Sequence, residues 1–276
     1  MTDVLISARE LAARLADTDA PVVLDVRWQL GDPHGEEHYR RAHVPGAIYV
    51  DLHTELAAEP SAGAGRHPLP DADAFGRAAR SWGVGAESSV VVYDDTGGMA
   101  AARLWWLLRW AGHSRVLILD GGLGAWRDAG GALAAGSETP SAPGDLVVSP
   151  GNMPTVDIDE IADIGGTLLD ARAPERFRGE TEPIDPRAGH IPGAVSAPTA
   201  ANLDASGRFL EPAALRDRFA RLGVDPEAAV TVYCGSGVTA AHEIAALAVA
   251  GVDAALYPGS WSQWSADPDR PAARGE

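Results

Sequence analysis

The sequence predicts an α/β fold built twice, with tandem duplicated domains that each form a parallel sheet flanked by helices on both faces. Two observations predict this fold class. Short apolar runs of strand length alternate with helix-sized stretches along the chain, a pattern typical of parallel strands joined by crossover helices. In addition, four short motifs occur twice in the same order, and 276 residues are enough for two domains of ordinary size.

The four repeated motifs define the domain organisation. They are LDVR at 24–27 and LDAR at 169–172, HVPGA at 43–47 and HIPGA at 190–194, WGV to VVVYD at 82–94 and LGV to VTVYC at 222–234, and DGG to W at 120–126 and PGS to W at 258–264. Their spacing is far longer than a solenoid repeat, which favours a duplicated domain. We therefore predict a first domain at 1–135, a linker rich in Gly, Ser and Pro at 136–154, and a second domain at 155–276.

The elements follow in order from the apolar runs. Strands are predicted at 22–24, 90–93 and 116–119 in the first half, and at 167–169, 230–233 and 254–257 in the second. Helices are predicted at 100–111 and 238–250. Gly112 and Gly251 stand directly after these helices, where glycine commonly ends a helix.

Cys234 is the single cysteine of the chain, and it lies between a predicted strand and a loop of small residues that leads into a predicted helix. In an open parallel sheet, ligands bind outside the carboxyl ends of the strands. A thiol there faces backbone N–H groups and the positive end of a helix dipole, and both favour the thiolate. We therefore predict Cys234 as a nucleophile. Asp94 occupies the matching position of the first half, so the first domain is predicted to be catalytically silent.

Composition excludes several classes of function. The net charge of −17 disfavours nucleic acid and anionic lipid as partners. One cysteine allows neither an intramolecular disulfide nor a thiolate zinc cluster, so no metal site is expected. All 22 basic residues are arginine, which excludes Schiff-base chemistry and a Walker A loop, since both need lysine. No secretory signal and no membrane-spanning run is present, so we expect no membrane association and a cytoplasmic protein.

Several motifs together identify a family resemblance. They are the HxPGA pair at 43 and 190, RFRG at 176–179, DGG at 120–122, the loop CGSGVT at 234–239, and GSW at 259–261 with Trp264. With these motifs the chain resembles the two-domain rhodanese-like sulfurtransferases over nearly its whole length. The resemblance implies that a small sulfur donor transfers its sulfur to Cys234. The resulting persulfide passes it to a thiophilic acceptor such as cyanide or a thiol, thioredoxin included, and no metal or organic cofactor is required.

The loop after the cysteine bears on the sulfur donor. Family members that use thiosulfate carry Arg-Lys after the cysteine, whereas Gly235 and Ser236 stand here, as in members that use 3-mercaptopyruvate. The resemblance implies that Ser236 relays a proton together with His67. It also implies that the loop binds the substrate, with the residues Gly235, Gly237, Val238 and Thr239. Thiosulfate:cyanide transfer by the same mechanism, and a non-catalytic persulfide carrier for protein partners, remain alternatives.

The resemblance also nominates cations for the donor carboxylate. Arg176 matches the first pocket arginine of the family, and Arg187 is the candidate for the second, although its spacing from Arg176 is longer than the family pattern. One position departs from the family. The acidic partner of the relay histidine is expected where His53 stands, so either Asp51 orients the histidine or the triad is incomplete.

A cysteine phosphatase is the rival enzyme class, because it also uses a thiolate in a loop of backbone amides. It needs an arginine six residues after the cysteine to bind phosphate. Position 240 is Ala240, which disfavours this class.

Overall fold

The structure is a computed structural model that describes residues 4–276. The chain divides into two compact units. The first comprises the residues up to Ala57, Pro70–Asn152 and Asp204–Phe209, and the second comprises Ala58–Leu69, Met153–Leu203 and Leu210–Glu276. The segment Ala58–Leu69 therefore belongs to the second unit, although its neighbours in sequence belong to the first. Between Asp128 and Ile161, a stretch that includes the predicted linker, the chain has neither helix nor strand.

The first unit has a parallel sheet of five strands within the described residues, in the order β1-β5-β4-β2-β3. Its strands are β1 (Leu5–Ile6), β2 (Val22–Asp25), β3 (Ile48–Tyr49), β4 (Val90–Tyr93) and β5 (Val116–Leu119). Its helices are α1 (Ala8–Leu15), α2 (Gly35–Arg41), α3 (Leu52–Glu55), α4 (Ala72–Ser81), α5 (Ala101–Trp110) and α6 (Gly122–Asp128).

The second unit has a parallel sheet of four strands within the described residues, in the order β7-β6-β8-β9. Its strands are β6 (Thr167–Asp170), β7 (Val195–Ser196), β8 (Val230–Tyr233) and β9 (Ala255–Leu256). Its α-helices are α7 (Pro174–Phe177), α8 (Pro212–Arg221), α9 (Val238–Ala250) and α10 (Ser260–Ala266), with 3-10 turns at Ile161–Asp163 and Thr199–Asn202. The predicted fold class, two parallel sheets flanked by helices, is confirmed.

A buried ion pair occurs in both units at the end of a strand, β2 in the first unit and β6 in the second. In the second unit Arg172 donates to Asp170 at 2.6 Å, and the guanidinium lies 4.8 Å from the ring of Trp261. In the first unit Arg27 donates to Asp25 at 2.8 Å. Both pairs are almost fully buried, where an unpaired charge would be very costly. The repeated LDxR motif is therefore structural, and Arg172 belongs to the scaffold.

The histidine of each HxPGA motif has the same structural role. His43 donates from Nδ1 to the carbonyl of Tyr39 at 2.9 Å and stacks on its ring. His190 donates to the carbonyl of Phe177 at 2.8 Å and stacks on that ring, with centroids 3.7 Å apart. In each unit, the histidine thus fastens the start of its HxPGA motif to a short helix that precedes it, α2 or α7.

No helix formed by residues 4–276 combines the length and the apolar character that crossing a membrane requires.

Candidate active site

The loop between β8 and α9 in the second unit holds the candidate nucleophile. Cys234 directly follows β8 and is buried, with 1% of its surface exposed. The amide of Gly237 donates to Sγ at 3.1 Å. Gly237 has φ 79°, a left-handed conformation that favours glycine, and this turn aims the amide at the sulfur. α9 begins at the next residue and runs for 13 residues, so its positive end lies at the loop that holds the sulfur.

The segment Ala58–Leu69 brings a histidine to this loop. His67 and Ser236 are both buried, and Nδ1 of the imidazole lies 2.7 Å from Oγ of the serine. The amide of Arg66 donates to Oγ of Ser262, which helps to anchor the segment next to α10. The structure thus joins two of the residues that the sequence predicted to work together, although they are 169 positions apart.

Two guanidinium groups approach the residue after the cysteine. A Cβ atom placed on Gly235 would lie 2.9 Å from Nη2 of Arg66 and 3.4 Å from Nη1 of Arg176. Arg176 is a predicted substrate-binding residue, whereas Arg66 was not predicted. Glycine at position 235 leaves room for both cations beside the loop. Such a pair can bind the carboxylate or the sulfonate-like end of a small anion.

Two buried carboxylates hold these cations. Arg176 donates from Nη2 to Glu182 at 2.7 Å and to Asp185 at 3.0 Å. Arg66 donates from Nη1 to the other oxygen of Asp185. Burial raises the pKa of Asp185, and the adjacent guanidinium of Arg66 opposes that rise. Asp185 and Glu182 are therefore further residues of the site that sequence reasoning missed.

Arg187 has a different environment from the one that the sequence predicted. Its guanidinium donates to four backbone carbonyls at the end of α10 and just beyond it, those of Trp264, Ser265, Asp267 and Arg270, at 2.6–2.8 Å. These contacts use the groups that would bind a substrate carboxylate, and they satisfy carbonyls that a helix end leaves unpaired. The structure thus places Arg187 at the end of α10, whereas the guanidinium that lies beside Arg176 near Gly235 is that of Arg66. A substrate-binding role for Arg187 stays a prediction.

Replacement of Arg187 by alanine is expected to lower the free energy of unfolding by about 2–3 kcal/mol, because several charge-assisted hydrogen bonds are lost. The KM for the sulfur donor should stay within about twofold of wild type. Urea denaturation and steady-state kinetics measure the two effects. Arg178→Ala is the matched control, since its exposed pair with Glu180 is worth about 1 kcal/mol or less. A large rise in KM without loss of stability would support the sequence-based role.

The remaining predicted residues lie on or near the same loop or in the first unit. Val238 and Thr239 form the first turn of α9. Asp51 caps α3 and accepts hydrogen bonds from the amide and hydroxyl of Thr54. His53 accepts at Nε2 from the indole N–H of Trp28. A role for Asp51 in orienting the relay histidine stays a prediction.

The loop after β4 in the first unit shows the same backbone design with a different occupant. Asp94 stands at the position of the cysteine and is fully buried. Its carboxylate accepts four backbone N–H bonds at 2.8–3.0 Å, from Thr96, Gly98, Ala100 and Ala101. Gly97 has φ 75°, close to the φ of Gly237 in the second unit. This loop therefore binds an anion that its own chain supplies.

Comparisons with known proteins show the family of the chain. The model of the rhodanese-like domain family matches residues 7–129 and 157–267. The chain belongs to the rhodanese-like sulfurtransferases. Among its relatives of this family, "Putative thiosulfate sulfurtransferase SseB" of Mycobacterium tuberculosis is 47% identical over 99% of this chain and 97% of its own length. "Probable 3-mercaptopyruvate sulfurtransferase" of Pseudomonas aeruginosa is 48% identical over 99% and 98%.

A solved rhodanese-fold structure aligns over almost the same extent. The crystal structure of SseA from Escherichia coli, a 3-mercaptopyruvate sulfotransferase, has a TM-score of 0.83 and 31% identity, and the match covers 95% of this chain and 100% of that one. The names of the relatives include both thiosulfate and 3-mercaptopyruvate. The choice of sulfur donor in this rhodanese-like chain therefore depends on the residues of its own site.

Proposed function

We propose that this sulfurtransferase takes sulfur from 3-mercaptopyruvate, holds it as a persulfide on Cys234 and passes it to cyanide or a thiol. The observation that carries the proposal is the hydrogen bond between His67 and Ser236. Ser236 lies two positions after the buried Cys234, whose Sγ accepts a hydrogen bond from the amide of Gly237. This arrangement supports a proton relay next to a loop whose backbone donates to the sulfur.

The first step transfers the sulfur atom. The Cys234 thiolate attacks the sulfur of 3-mercaptopyruvate, a sulfur–sulfur bond forms, and the carbon–sulfur bond breaks. The electron pair of that bond leaves with carbon as the enolate of pyruvate. The proton lost by the donor thiol is the proton that the enolate gains, so the step needs no external acid, oxidant or reductant.

The relay explains how that proton moves. When the Nδ1 atom of His67 is unprotonated, it accepts the hydroxyl proton of Ser236, and the serine oxygen can then receive the proton of the donor thiol. Both side chains are buried, which shields the transfer from bulk water. The guanidinium groups of Arg66 and Arg176 are available to orient the carboxylate of the donor.

The second step releases the sulfur. The carbon of cyanide, or the sulfur of a thiolate, attacks the outer sulfur of the persulfide. The sulfur–sulfur bond breaks, and its electrons return to Sγ of Cys234 as a thiolate. With cyanide the product is thiocyanate, and the enzyme is restored without an external redox reagent.

Thiosulfate is the second candidate donor, and the two arginines near Gly235 favour it, because a compact dianion pairs well with two cations. Its transfer would release sulfite and would not require a proton relay, since thiosulfate carries no thiol proton at neutral pH. The two donors therefore make different demands on Ser236.

Replacement of Ser236 by alanine is expected to lower kcat/KM for 3-mercaptopyruvate by about 100-fold, the usual range for loss of proton transfer, and for thiosulfate by less than about tenfold. Steady-state rates with both donors, measured on the same preparation, test this. Ser265→Ala is the control, since that buried hydroxyl has no hydrogen-bond partner among the described residues. Equal losses with the two donors would remove the selective role of the serine.

The persulfide itself is tested by mass spectrometry of the wild-type protein after incubation with each donor. We expect an increase of about 32 Da, one sulfur atom, on the peptide that contains Cys234, and its disappearance after cyanide is added. An adduct that forms only from a protein persulfide would instead favour a carrier. No adduct under any condition would contradict the proposal.

A further inference from the structure

The cations at the proposed donor site already have a partner from the protein. The carboxylate of Asp185 bridges them, with one oxygen bound by Nη1 of Arg66 and the other 3.0 Å from Nη2 of Arg176. Its side chain is 3% exposed, so it is confined between the two guanidinium groups. A substrate anion that binds these cations must do so in the presence of this carboxylate.

The charges around this carboxylate balance. Three buried or partly buried arginines, Arg66, Arg172 and Arg176, are linked by ion pairs to three carboxylates, Asp170, Glu182 and Asp185. The network therefore carries no net formal charge. A cavity of about 280 Å³ borders it, with Arg66, Gly65, Asp185 and Ser262 in its lining. A small anion in this cavity would lie next to both the carboxylate of Asp185 and the guanidinium of Arg66.

We propose that Asp185 is a specificity-determining residue, which resists the binding of dianionic sulfur donors such as thiosulfate more strongly than that of monoanionic donors such as 3-mercaptopyruvate. The inference rests on the proposed function, because it concerns the donor of the same reaction. Its basis is the position of the carboxylate, which bridges the two guanidinium groups that lie beside Gly235, the residue next to the candidate nucleophile.

The physical argument is the dependence of Coulomb energy on the product of the charges. A fixed negative charge repels a dianion with about twice the energy with which it repels a monoanion at the same distance. A binding free energy is proportional to the logarithm of the affinity, so doubling the energy squares the fold-change in affinity. The fold-change in affinity for the dianion is therefore about the square of that for the monoanion. Loss of this one charge should therefore change the ratio of the two donors as well as the rate with each.

The experiment measures kcat/KM for both donors in the full-length chain carrying Asp185→Asn, which keeps the shape and one acceptor oxygen. If the value for 3-mercaptopyruvate rises about tenfold, the value for thiosulfate should rise about 100-fold. Glu180→Gln is the matched control, because it removes one charge from an exposed carboxylate of the same segment. In this control the donor ratio should stay within about twofold of wild type.

A purely structural role of Asp185 predicts another result. If the carboxylate only holds Arg66 in place, Asp185→Asn lowers the values for both donors, and that for thiosulfate by at least as large a factor, because the displaced charge attracts a dianion more strongly. That result overturns the proposal. An unchanged or lower ratio of thiosulfate to 3-mercaptopyruvate overturns it too.

A second variant keeps the proposal testable if Asp185→Asn does not fold. Asp185→Ser removes the same negative charge with a smaller side chain, so the value for thiosulfate should again rise by about the square of the factor gained with 3-mercaptopyruvate. Equal changes with the two donors would count against the proposal. The wild-type mass spectrum separates this test from that of the function. A persulfide in the wild type with an unchanged donor ratio in both variants overturns this inference alone, whereas no persulfide overturns both.

Discussion

Replacement of Cys234 by serine is expected to abolish sulfur transfer from either donor, with a fall of at least about 1,000-fold in thiocyanate formation. A serine hydroxyl at neutral pH is almost entirely protonated and cannot form the sulfur–sulfur bond of a persulfide. The serine side chain has the same shape with a smaller terminal atom, and its hydroxyl can accept a hydrogen bond from the amide of Gly237, as Sγ does. We therefore expect the fold to persist, with a stability change of about 1 kcal/mol or less.

Two measurements check this prediction together. Thiocyanate formation from cyanide reports transfer, and intact mass reports whether the about 32 Da adduct still forms. Thermal denaturation of the variant shows whether the loss arises from unfolding. Turnover at the wild-type rate would contradict the proposed mechanism, because Cys234 is the only thiol in the chain.

The framework of the site could be predicted from local sequence. The predicted strand at 230–233 and helix at 238–250 coincide with β8 and α9. Both are set by nearby residues, since an apolar run forms the strand and glycines with positive φ, Gly237 and Gly251, lie at the two ends of the helix. The position of Cys234 at the carboxyl end of a parallel strand follows directly from these elements.

The cationic part of the site could not be predicted in this way. Arg66 and Asp185 are 119 positions apart, and their pairing depends on how the segment Ala58–Leu69 folds into the second unit. Periodicity carries no information about such a contact. The position of Arg66 directly before the predicted relay histidine was the available signal. Conversely, Arg187 has the right charge, but its guanidinium binds backbone carbonyls at the end of α10, a contact between distant parts of the chain.

The loop after β4 in the first unit shows how this type of backbone can bind an anion. Asp94 and Cys234 follow equivalent strands, and each precedes a turn with a left-handed glycine, Gly97 or Gly237. In the first unit the carboxylate collects four amide donors. A loop of this conformation therefore supplies the inward N–H groups that an anion needs. By this analogy, an anionic persulfide sulfur on Cys234 would use donors of the same kind.

Replacement of Asp94 by alanine is accordingly expected to lower the free energy of unfolding by about 3 kcal/mol, because it leaves buried N–H groups without their acceptor. Asp94→Asn should also destabilise, since its NH2 group would face N–H donors. The exposed Asp17→Ala change in the same unit is the control and should cost less than about 0.5 kcal/mol. Urea denaturation measures all three.

Asp94→Ala also tests whether the carboxylate of Asp94 serves stability alone, in contrast to the thiol of Cys234, which we expect to serve catalysis. Under conditions where Asp94→Ala is folded, kcat for sulfur transfer should stay within about twofold of wild type, whereas Cys234→Ser loses transfer and keeps its stability. The two substitutions at equivalent positions thus have opposite effects. A stable Asp94→Ala protein would mean that the amides of that loop do not need an anion, and the argument from the first loop to a stabilised persulfide in the second would then fail.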